Sequence, residues 1–575
     1  MVRFGSLAPL ALVIAAAAAT PEWIVRSNQN SLIVLKAGAQ FGPEGAAATG
    51  LDGYDDKIVD LGPRYQERQI EAYGAVESEL EKRLAAETDP LVRQDLEIIL
   101  HDTRDTVREL QIAIKYHFPY INVSQLVFGG LHALLDDRIA PDRRSAALVR
   151  LRRYAGLESG YTPIAVLAEQ RTRQRLNTAG LIGPTRLQVE KDLDNSTYFV
   201  EGIGQLFAKY KLTGYEDAYA ALKKQTAAYN DFLRAEVLPH ARTDFRLPPE
   251  EYAFRLEDMG VDMPPDQLAA RAHGAFDEIQ AQMTVIAALI AKDRGLPSAG
   301  YREVIRSLKK DQLSGDAIMD HYRQRIGQIE DIVRRENLLT LPDRPPRMRL
   351  ASAAESAQQP APHMSPPRMI GNTGETGEFV LPLMNPAAKG ERIDDFTFAA
   401  ASWTLASHEA RPGHELQFSR MIEGGVSIAR AVFAFNSTNV EGWGLYSEWM
   451  IFPYMPADGQ LISLQGRLLR AARAFLDPEL QAGRITRDEA KHVLMDDVVL
   501  SDSLATEEVD RYTLRAPGQA TTYFYGFTRL LELREDTEKK LGAKFSARDF
   551  HDFILSQGLL PPALLRTAVT AHFAQ

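Results

Sequence analysis

The amphipathic spacing of residues 89–116 restricts the fold of this chain more than any other feature. The segment reads DPLVRQDLEIILHDTRDTVRELQIAIKY, and its apolar residues recur three and four positions apart between charged ones. This spacing places the apolar side chains on one face of an α-helix. Residues 70–87 (IEAYGAVESELEKRLAAE) show the same pattern. We therefore expect a predominantly α-helical protein.

The composition divides the chain into sections that we expect to belong to one structural unit, residues 20–575. Residues 20–340 are mostly helical in pattern. Residues 341–395 are rich in proline and glycine, which interrupt helices. Within them RMRLAS and EFVLPL (378–383) are the best candidates for short strands, which predicts a small β insert. Residues 396–575 return to helical patterns.

The last section also carries helix-boundary signals. Thr486 and Glu489 have the spacing of a capping box that opens a helix. Ser546 is placed as a second N-cap, with Phe545 and Phe550 positioned as a hydrophobic staple. That second helix is expected to end near Gly558.

The first 19 residues predict an export signal. Residues 1–19 (MVRFGSLAPLALVIAAAAA) combine one basic residue, an apolar run and a small-residue ending. The run is shorter than the roughly 20 residues that a membrane span requires, which favours cleavage over an N-terminal anchor. No later segment is apolar enough to span a bilayer. We expect an exported protein, periplasmic or secreted, without stable membrane insertion after cleavage.

Composition excludes several classes of function. The chain has no cysteine, which excludes disulfides, thiolate metal sites, cysteine nucleophiles and a lipid-modified cysteine. Its net charge is -11 and it has no dense run of lysine and arginine, so it lacks the electrostatic footprint of a nucleic-acid-binding protein. Any metal ion must therefore be held by histidine, aspartate and glutamate.

Residues 408–414, HEARPGH, resemble a zinc-protease helix with altered spacing. In H-E-x-x-H two histidines one helical turn apart bind the metal. Here Pro412 takes the place of the second histidine, and the next one is His414. On a regular helix, side chains six positions apart lie about 120° apart around the axis and could not share a metal.

Pro412 and Gly413 can distort the regular helix between the two histidines. Proline removes a backbone donor and clashes with the carbonyl of the residue four back, here His408. We expect the helix to be kinked or widened, which could bring the two imidazoles together. The alternative is that Pro-Gly ends one helix and His414 is a surface residue that begins the next.

A third candidate ligand follows in VEGWGLYSEWM. Glu441 and Glu448 are seven positions apart and so lie on one helical face. His408, His414 and Glu441 would form the two-histidine, one-glutamate set that leaves a zinc coordination position open. The alternative is a solvated acidic stripe on a helix whose aromatic residues belong to the core.

Three motifs together resemble the bacterial family known as domain of unknown function 885. They are HEARPGH (408–414), EGWGLY (441–446) and PGQATTY (517–523), in the order that this family shows. A looser likeness covers most of the chain, including GLDGYDDKIVDLGPRY (50–65). Many members have a second histidine directly after the first motif, where this chain has Glu415.

The family resembles gluzincin-type metallopeptidases, which are two-lobed helical proteins with a deep cleft. This resemblance implies that His408, His414 and Glu441 are ligands of one zinc ion and that Glu409 is the general base. Manganese and cobalt stay open as alternatives to zinc, although two histidines and a glutamate suit zinc best.

Further residues are assigned hypothetical roles. Tyr523 is a candidate donor to the oxygen on which negative charge develops, or it packs in the core with Tyr525 and Phe527. Arg511 and Arg515 could clamp a substrate carboxylate, or form surface salt bridges. Glu448 is a candidate partner of a ligand histidine.

The strand at 378–383 could pair with an extended peptide, or belong to a buried hairpin. The other ten histidines lack neighbours at ligand spacing and are interpreted as structural.

The leading hypothesis is an exported zinc-dependent hydrolase that cleaves short peptides. A second hypothesis keeps the metal chemistry and replaces the peptide by a small non-peptide amide or ester. A third is a non-catalytic protein that binds metal or peptide. The presence of Glu409 counts against the third hypothesis, because binding alone requires no base beside a metal ligand.

Overall fold

Helices account for most of the chain, as the amphipathic spacing predicts. The computed structural model describes residues 20–313, 316–372, 374–383 and 394–574, so the expected signal at residues 1–19 lies outside the described residues. The first α-helices are α1 (Glu22–Ala39), α2 (Pro43–Thr49), α3 (Tyr65–Ala86), α4 (Pro90–Tyr116), α5 (Val123–His132), α6 (Ala146–Tyr154), α7 (Ile164–Arg175), α8 (Arg186–Lys209), α9 (Glu216–Phe232), α10 (Pro249–Asp258), α11 (Pro265–Arg294), α12 (Tyr301–Leu308) and α13 (Asp316–Arg335). The later α-helices are α14 (Ala353–Gln358), α15 (Ala401–Leu405), α16 (His414–Gly424), α17 (Ser437–Ile451), α18 (Ala457–Gln481), α19 (Arg487–His492), α20 (Asp502–Asp510), α21 (Thr522–Leu541), α22 (Ala547–Ser556) and α23 (Pro562–His572).

Shorter helical turns extend or join these helices. The π-helical turns are Leu233–Val237, Ala406–Ala410, Ala429–Phe433, Val493–Asp497 and Arg511–Arg515. The 3₁₀ turns are Arg143–Ser145, Leu238–His240, Phe452–Tyr454, Gln519–Thr521 and Gly542–Lys544. No helix within the described ranges is long and apolar enough to cross a membrane.

The proline- and glycine-rich section contains a small sheet. Its strands are β1 (Arg347–Leu350), β2 (His363–Ser365) and β3 (Glu378–Leu381), in the order β1-β3-β2. The predicted strands β1 and β3 are confirmed, whereas β2, a three-residue strand in a proline-rich segment, was not predicted. β3 pairs in parallel with β1 and antiparallel with β2. Because both edges of β3 are occupied, the prediction that this strand pairs with an extended peptide is wrong.

The buried apolar side chains form two large clusters. The larger cluster unites α10–α13 with α15–α23, where α11 packs along α18 and α17 packs against α21. The smaller one unites α5–α9. A cavity of about 500 Å³ lies where they meet and is lined by Phe118, Gln188, Phe254 and Leu514 among others. The two cores therefore have a cleft between them, which this cavity occupies.

The predicted helix boundaries near the C-terminus are confirmed. Thr486 and Glu489 form a capping box at the start of α19. The Ser546 side chain accepts a hydrogen bond from the Asp549 backbone N–H at the start of α22. The Phe545 and Phe550 rings lie 5.7 Å apart, as a hydrophobic staple requires. Both helix starts are therefore determined by residues that are close in sequence.

Candidate metal centre

The HEARPGH segment is a break between two helices. α15 continues into the π-helical turn Ala406–Ala410, and the backbone is then extended at Arg411. His414 is the first residue of α16, with Gly413 as its N-cap. The expected widening is present as this π-helical turn, which carries His408, but the helix then stops and a new one begins instead of continuing past a kink. The alternative is confirmed in that Pro412 and Gly413 separate two helices, but it is wrong about a surface position, because His414 is only 6% exposed.

Gly413 permits the close return of the chain. A Cβ atom at this position would lie 1.8 Å from the carbonyl oxygen of His408, closer than any real contact. Because glycine has no side chain, the backbone can pass directly beside His408. Pro412 has no N–H to continue the helix, so the two residues together end it and fold the chain back.

Distant side chains hold this turn. The Trp443 Nε1 donates a hydrogen bond to the carbonyl oxygen of Pro412 at 3.0 Å. Arg411 is fully buried and pairs with Glu415 at 2.7 Å and with Glu330 at 2.6 Å. Arg344 contacts the other oxygen of Glu415 at 2.8 Å. Glu415, the residue that departs from the family pattern, therefore balances two arginines beside the turn.

Replacing Glu415 with alanine should destabilise the protein by about 3 kcal/mol, the lower end of the cost of breaking a buried ion pair. Arg411 would keep Glu330 as a partner, which limits the loss. The measurement is the free energy of unfolding in urea. The matched control is Glu423→Ala, which removes a 38%-exposed carboxylate from the same Arg344. Equal stability of the two variants would contradict a structural role for Glu415.

His408, His414 and Glu441 lie together although they come from three different elements. Three ligand atoms, one from each side chain, lie within 4.8 Å of one another. Glu441 Oε2 is 3.5 Å from His408 Nε2 and 3.4 Å from His414 Nε2. α17 carries Glu441 to this point, and Gly444 on the same helix makes room for His408. A Cβ at Gly444 would lie 2.6 Å from the His408 ring.

Glu448 orients His408 from the side away from Glu441. Its Oε1 lies 2.7 Å from His408 Nδ1, and its Oε2 accepts a hydrogen bond from the Thr404 hydroxyl. Glu448 is completely buried, which excludes the solvated-stripe alternative for this residue. A carboxylate bonded to Nδ1 leaves Nε2 of the imidazole directed toward Glu441 and His414.

The carboxylates make the site favourable for positive charge. Burial lowers the pKa of His408, but the nearby carboxylates of Glu441 and Glu448 outweigh burial and raise it to about 9. For Glu441, burial raises the pKa, and the two histidines more than reverse this effect and hold it well below its usual range. A positive charge at this position, carried by protons or by a metal ion, is therefore stabilised by the carboxylates of Glu441 and Glu448.

Glu409 and Tyr523 lie beside the three convergent residues. Glu409 Oε1 is 4.0 Å from His408 Nε2, and the Glu409 side chain is 11% exposed. The Tyr523 ring lies 6.2 Å from the His408 ring and nearly parallel to it. Burial, with a smaller contribution from Glu441, raises the pKa of the Tyr523 hydroxyl, which therefore keeps its proton at neutral pH. Tyr525 points elsewhere and donates a hydrogen bond to Asp262.

The structure separates Arg511 from Arg515. Arg511 lies 3.6 Å from the buried Glu508 and close enough to Tyr523 to lower the pKa of its hydroxyl. Arg515 pairs with Glu507, its side chain is 42% exposed, and it lines the cleft cavity. The two arginines predicted as one clamp therefore face different surroundings.

Several residues near the site were missed from the sequence. Arg473 of α18 lies near Tyr523, Arg470 lies near Glu448, and Arg467 lies near Phe527 on the same helix as Tyr523. Their spacing of three was a visible signal of a shared helical face. His363 of β2, interpreted as structural, is close enough to Glu409 for that carboxylate to raise its pKa. Burial has the larger effect and lowers it.

Comparisons with known proteins place the chain in a family. The model of the family described as "Bacterial protein of unknown function (DUF885)" matches residues 43–569. This chain is a member of the DUF885 family. No curated protein matches it.

Two solved structures share the fold of this DUF885 protein. One, described as a lipoprotein of unknown function from Shewanella oneidensis, has a TM-score of 0.72 and 18% identity over 95% of this chain and 99% of that one. The other, described as a lipoprotein from Colwellia psychrerythraea, has a TM-score of 0.71 and 18% identity over 96% of this chain and 99% of that one. An oligoendopeptidase F from Bacillus anthracis reaches a TM-score of only 0.31, which carries no information about the chemistry here.

Proposed function

We propose that this chain is an exported zinc-dependent hydrolase that cleaves amide bonds in short peptides. The observation that carries the proposal is the buried convergence of His408, His414 and Glu441 with Glu409 directly beside them. Export is supported by the signal pattern of residues 1–19 and by the two lipoproteins with the same fold.

The residues fit a zinc ion. Glu441 Oε2 is buried and has no hydrogen-bond partner within the part of the chain that the structure describes. A buried carboxylate oxygen that lacks a hydrogen bond is costly unless a cation lies beside it. Two imidazole nitrogens and one carboxylate form the ligand set of a catalytic zinc site, which keeps one coordination position open.

When bound, zinc would act as a Lewis acid that polarises a carbonyl group and lowers the pKa of water. The protein supplies the remaining steps. Glu409 accepts a proton from the attacking water at its carboxylate and passes it to the leaving amine nitrogen. The Tyr523 hydroxyl donates a hydrogen bond to the substrate oxygen as negative charge develops there. Glu448 keeps Nε2 of His408 directed into the site by holding Nδ1.

The test is hydrolysis of a mixture of short peptides, followed by mass spectrometry, before and after zinc removal. We expect the zinc-loaded protein to cleave peptides, the chelator-dialysed protein to lose this activity, and added zinc to restore it. Small non-peptide amides and esters, assayed in parallel, separate a peptidase from a hydrolase of other amides. Cleavage that survives zinc removal, or no cleavage by zinc-loaded protein, would overturn the proposal.

A further inference from the structure

A cluster of four arginines lies beside the candidate metal centre. Three of them, Arg467, Arg470 and Arg473, follow one another at intervals of three on α18, and Arg511 approaches from the turn after α20. The Cζ atoms of Arg473 and Arg470 lie 4.4 and 5.7 Å from the centre of the Tyr523 ring. Tyr523 thus contacts both the arginines and His408.

The carboxylates near these arginines do not balance their charge. Glu508 binds Arg473 through two contacts of 2.7 Å and lies 3.6 Å from Arg511. Glu448 lies 3.5 Å from Arg470 but also serves His408. Arg467 has no carboxylate within salt-bridge distance among the described residues. Four cations share two carboxylates, so the cluster holds an excess of positive charge on buried and half-buried side chains.

The cluster also has donors without acceptors. Arg467 Nε and Nη2, Arg470 Nε, Arg473 Nη1 and Arg511 Nη1 are buried and find no hydrogen-bond partner within the described ranges. Arg473 as a whole is only 6% exposed. Buried polar groups in native proteins are nearly always hydrogen-bonded, so each exception calls for a cause such as a catalytic role or a bound water or ion. Guanidinium N–H groups that lack acceptors, beside a candidate site for peptide hydrolysis, suit the planar, two-oxygen geometry of a carboxylate.

We infer that the cluster of Arg467, Arg470, Arg473 and Arg511 binds a carboxylate of the substrate. This inference rests on the proposed function and specifies its substrate class: peptides in which a carboxylate lies close to the cleaved bond. Such a group can be the C-terminal carboxylate or the side chain of an aspartate or glutamate. Arg515 is not part of this subsite, because Glu507 already pairs with it at the rim of the cleft.

The experiment measures binding separately from hydrolysis. Matched N-acetylated dipeptides that end in a carboxylate or in a carboxamide are titrated calorimetrically into zinc-loaded Glu409→Gln protein. We expect the acid to bind roughly 10- to 100-fold more tightly than the amide, the range for a charged hydrogen bond. A second pair of carboxamides, with glutamate or glutamine as the last residue, tests whether a side-chain carboxylate is the group recognised.

Two further variants connect the preference to the arginines. Arg467→Gln and Arg511→Gln in the same protein should each remove most of the preference for carboxylate. Arg467 has no ion pair whose loss would unfold the chain, and Arg511 is a second test if that variant fails to fold. The control Arg484→Gln removes a charge that follows α18, is 54% exposed and pairs with Asp266. It should retain the preference.

Equal binding of acids and amides, or no measurable binding of either, would overturn the inference. A preference that both arginine variants retain would do so as well. The proposed function fails separately: if acids bind preferentially but the zinc-loaded wild-type protein cleaves no peptide, the subsite stands without the hydrolase. If acids and amides are cleaved equally well, the hydrolase stands without the subsite.

Discussion

Replacing Glu441 or His414 with alanine should abolish zinc binding. Glu441 is the one carboxylate of the three convergent residues, and its Oε2 lies within 3.5 Å of both imidazole Nε2 atoms. Loss of a hydrogen-bonding partner of a ligand already weakens metal binding by roughly 10- to 100-fold, and loss of a ligand should weaken it further. Elemental analysis after zinc loading and dialysis should find about one zinc per wild-type chain and almost none in either variant.

Exposed residues of the same types are the controls. His492→Ala and Glu535→Ala remove side chains that are 79% and 70% exposed, and both should retain zinc. Circular dichroism shows whether each variant is folded. Zinc retained by both site variants would place the ion elsewhere and contradict the ligand assignment. Absence of zinc from the loaded wild-type protein would leave HEARPGH as a turn between helices and remove the basis for a hydrolase.

Local features of the fold could be predicted from the sequence because local contacts determine them. The apolar face of α4 and the capping signals at Thr486 and Ser546 depend on residues within a few positions. The same holds for β1 and β3, which lie between proline- and glycine-rich segments. β2 has only three residues, too few for a pattern of alternation.

The form of the helix break could not be predicted because distant residues determine it. The sequence identified Pro412 and Gly413 as the point of distortion. It did not show that Trp443 would hold the Pro412 carbonyl. Nor did it show that Arg411 would pair with Glu330, 81 positions earlier in the chain. These contacts convert a possible kink into a complete break.

The surroundings of the arginines near the site also could not be predicted from the sequence. Arg511 and Arg515 were grouped because they are one helical turn apart, yet one lies near the buried Glu508 and the other pairs with Glu507. Arg467, Arg470 and Arg473 had a visible spacing of three. Only the packing of α18 against α21 brings Arg470 and Arg473 to Tyr523, and Arg467 to Phe527. Sequence spacing shows which side chains share a face of a helix, but tertiary packing determines which residues that face contacts.

Replacing Glu409 with glutamine should leave zinc binding intact and lower the rate of peptide hydrolysis by roughly 10²- to 10⁴-fold, the usual contribution of a general base. Glutamine has nearly the same shape but cannot accept the proton. Glu409 Oε1 lies 4.0 Å from His408 Nε2, and Glu409 is not among the three convergent residues. The measurements are kcat/KM for a cleaved peptide and the zinc content of the same preparation.

The matched control is Glu423→Gln, because this glutamate lies at the far end of α16 with 38% of its side chain exposed and pairs with Arg344. It should keep both zinc and full activity. Full activity in Glu409→Gln would instead show that another group takes the proton. If the protein has a biological effect that Glu409→Gln leaves unchanged, that result favours the non-catalytic binding hypothesis. Retained zinc together with lost hydrolysis is the result that separates a base from a ligand, because loss of a ligand would remove both.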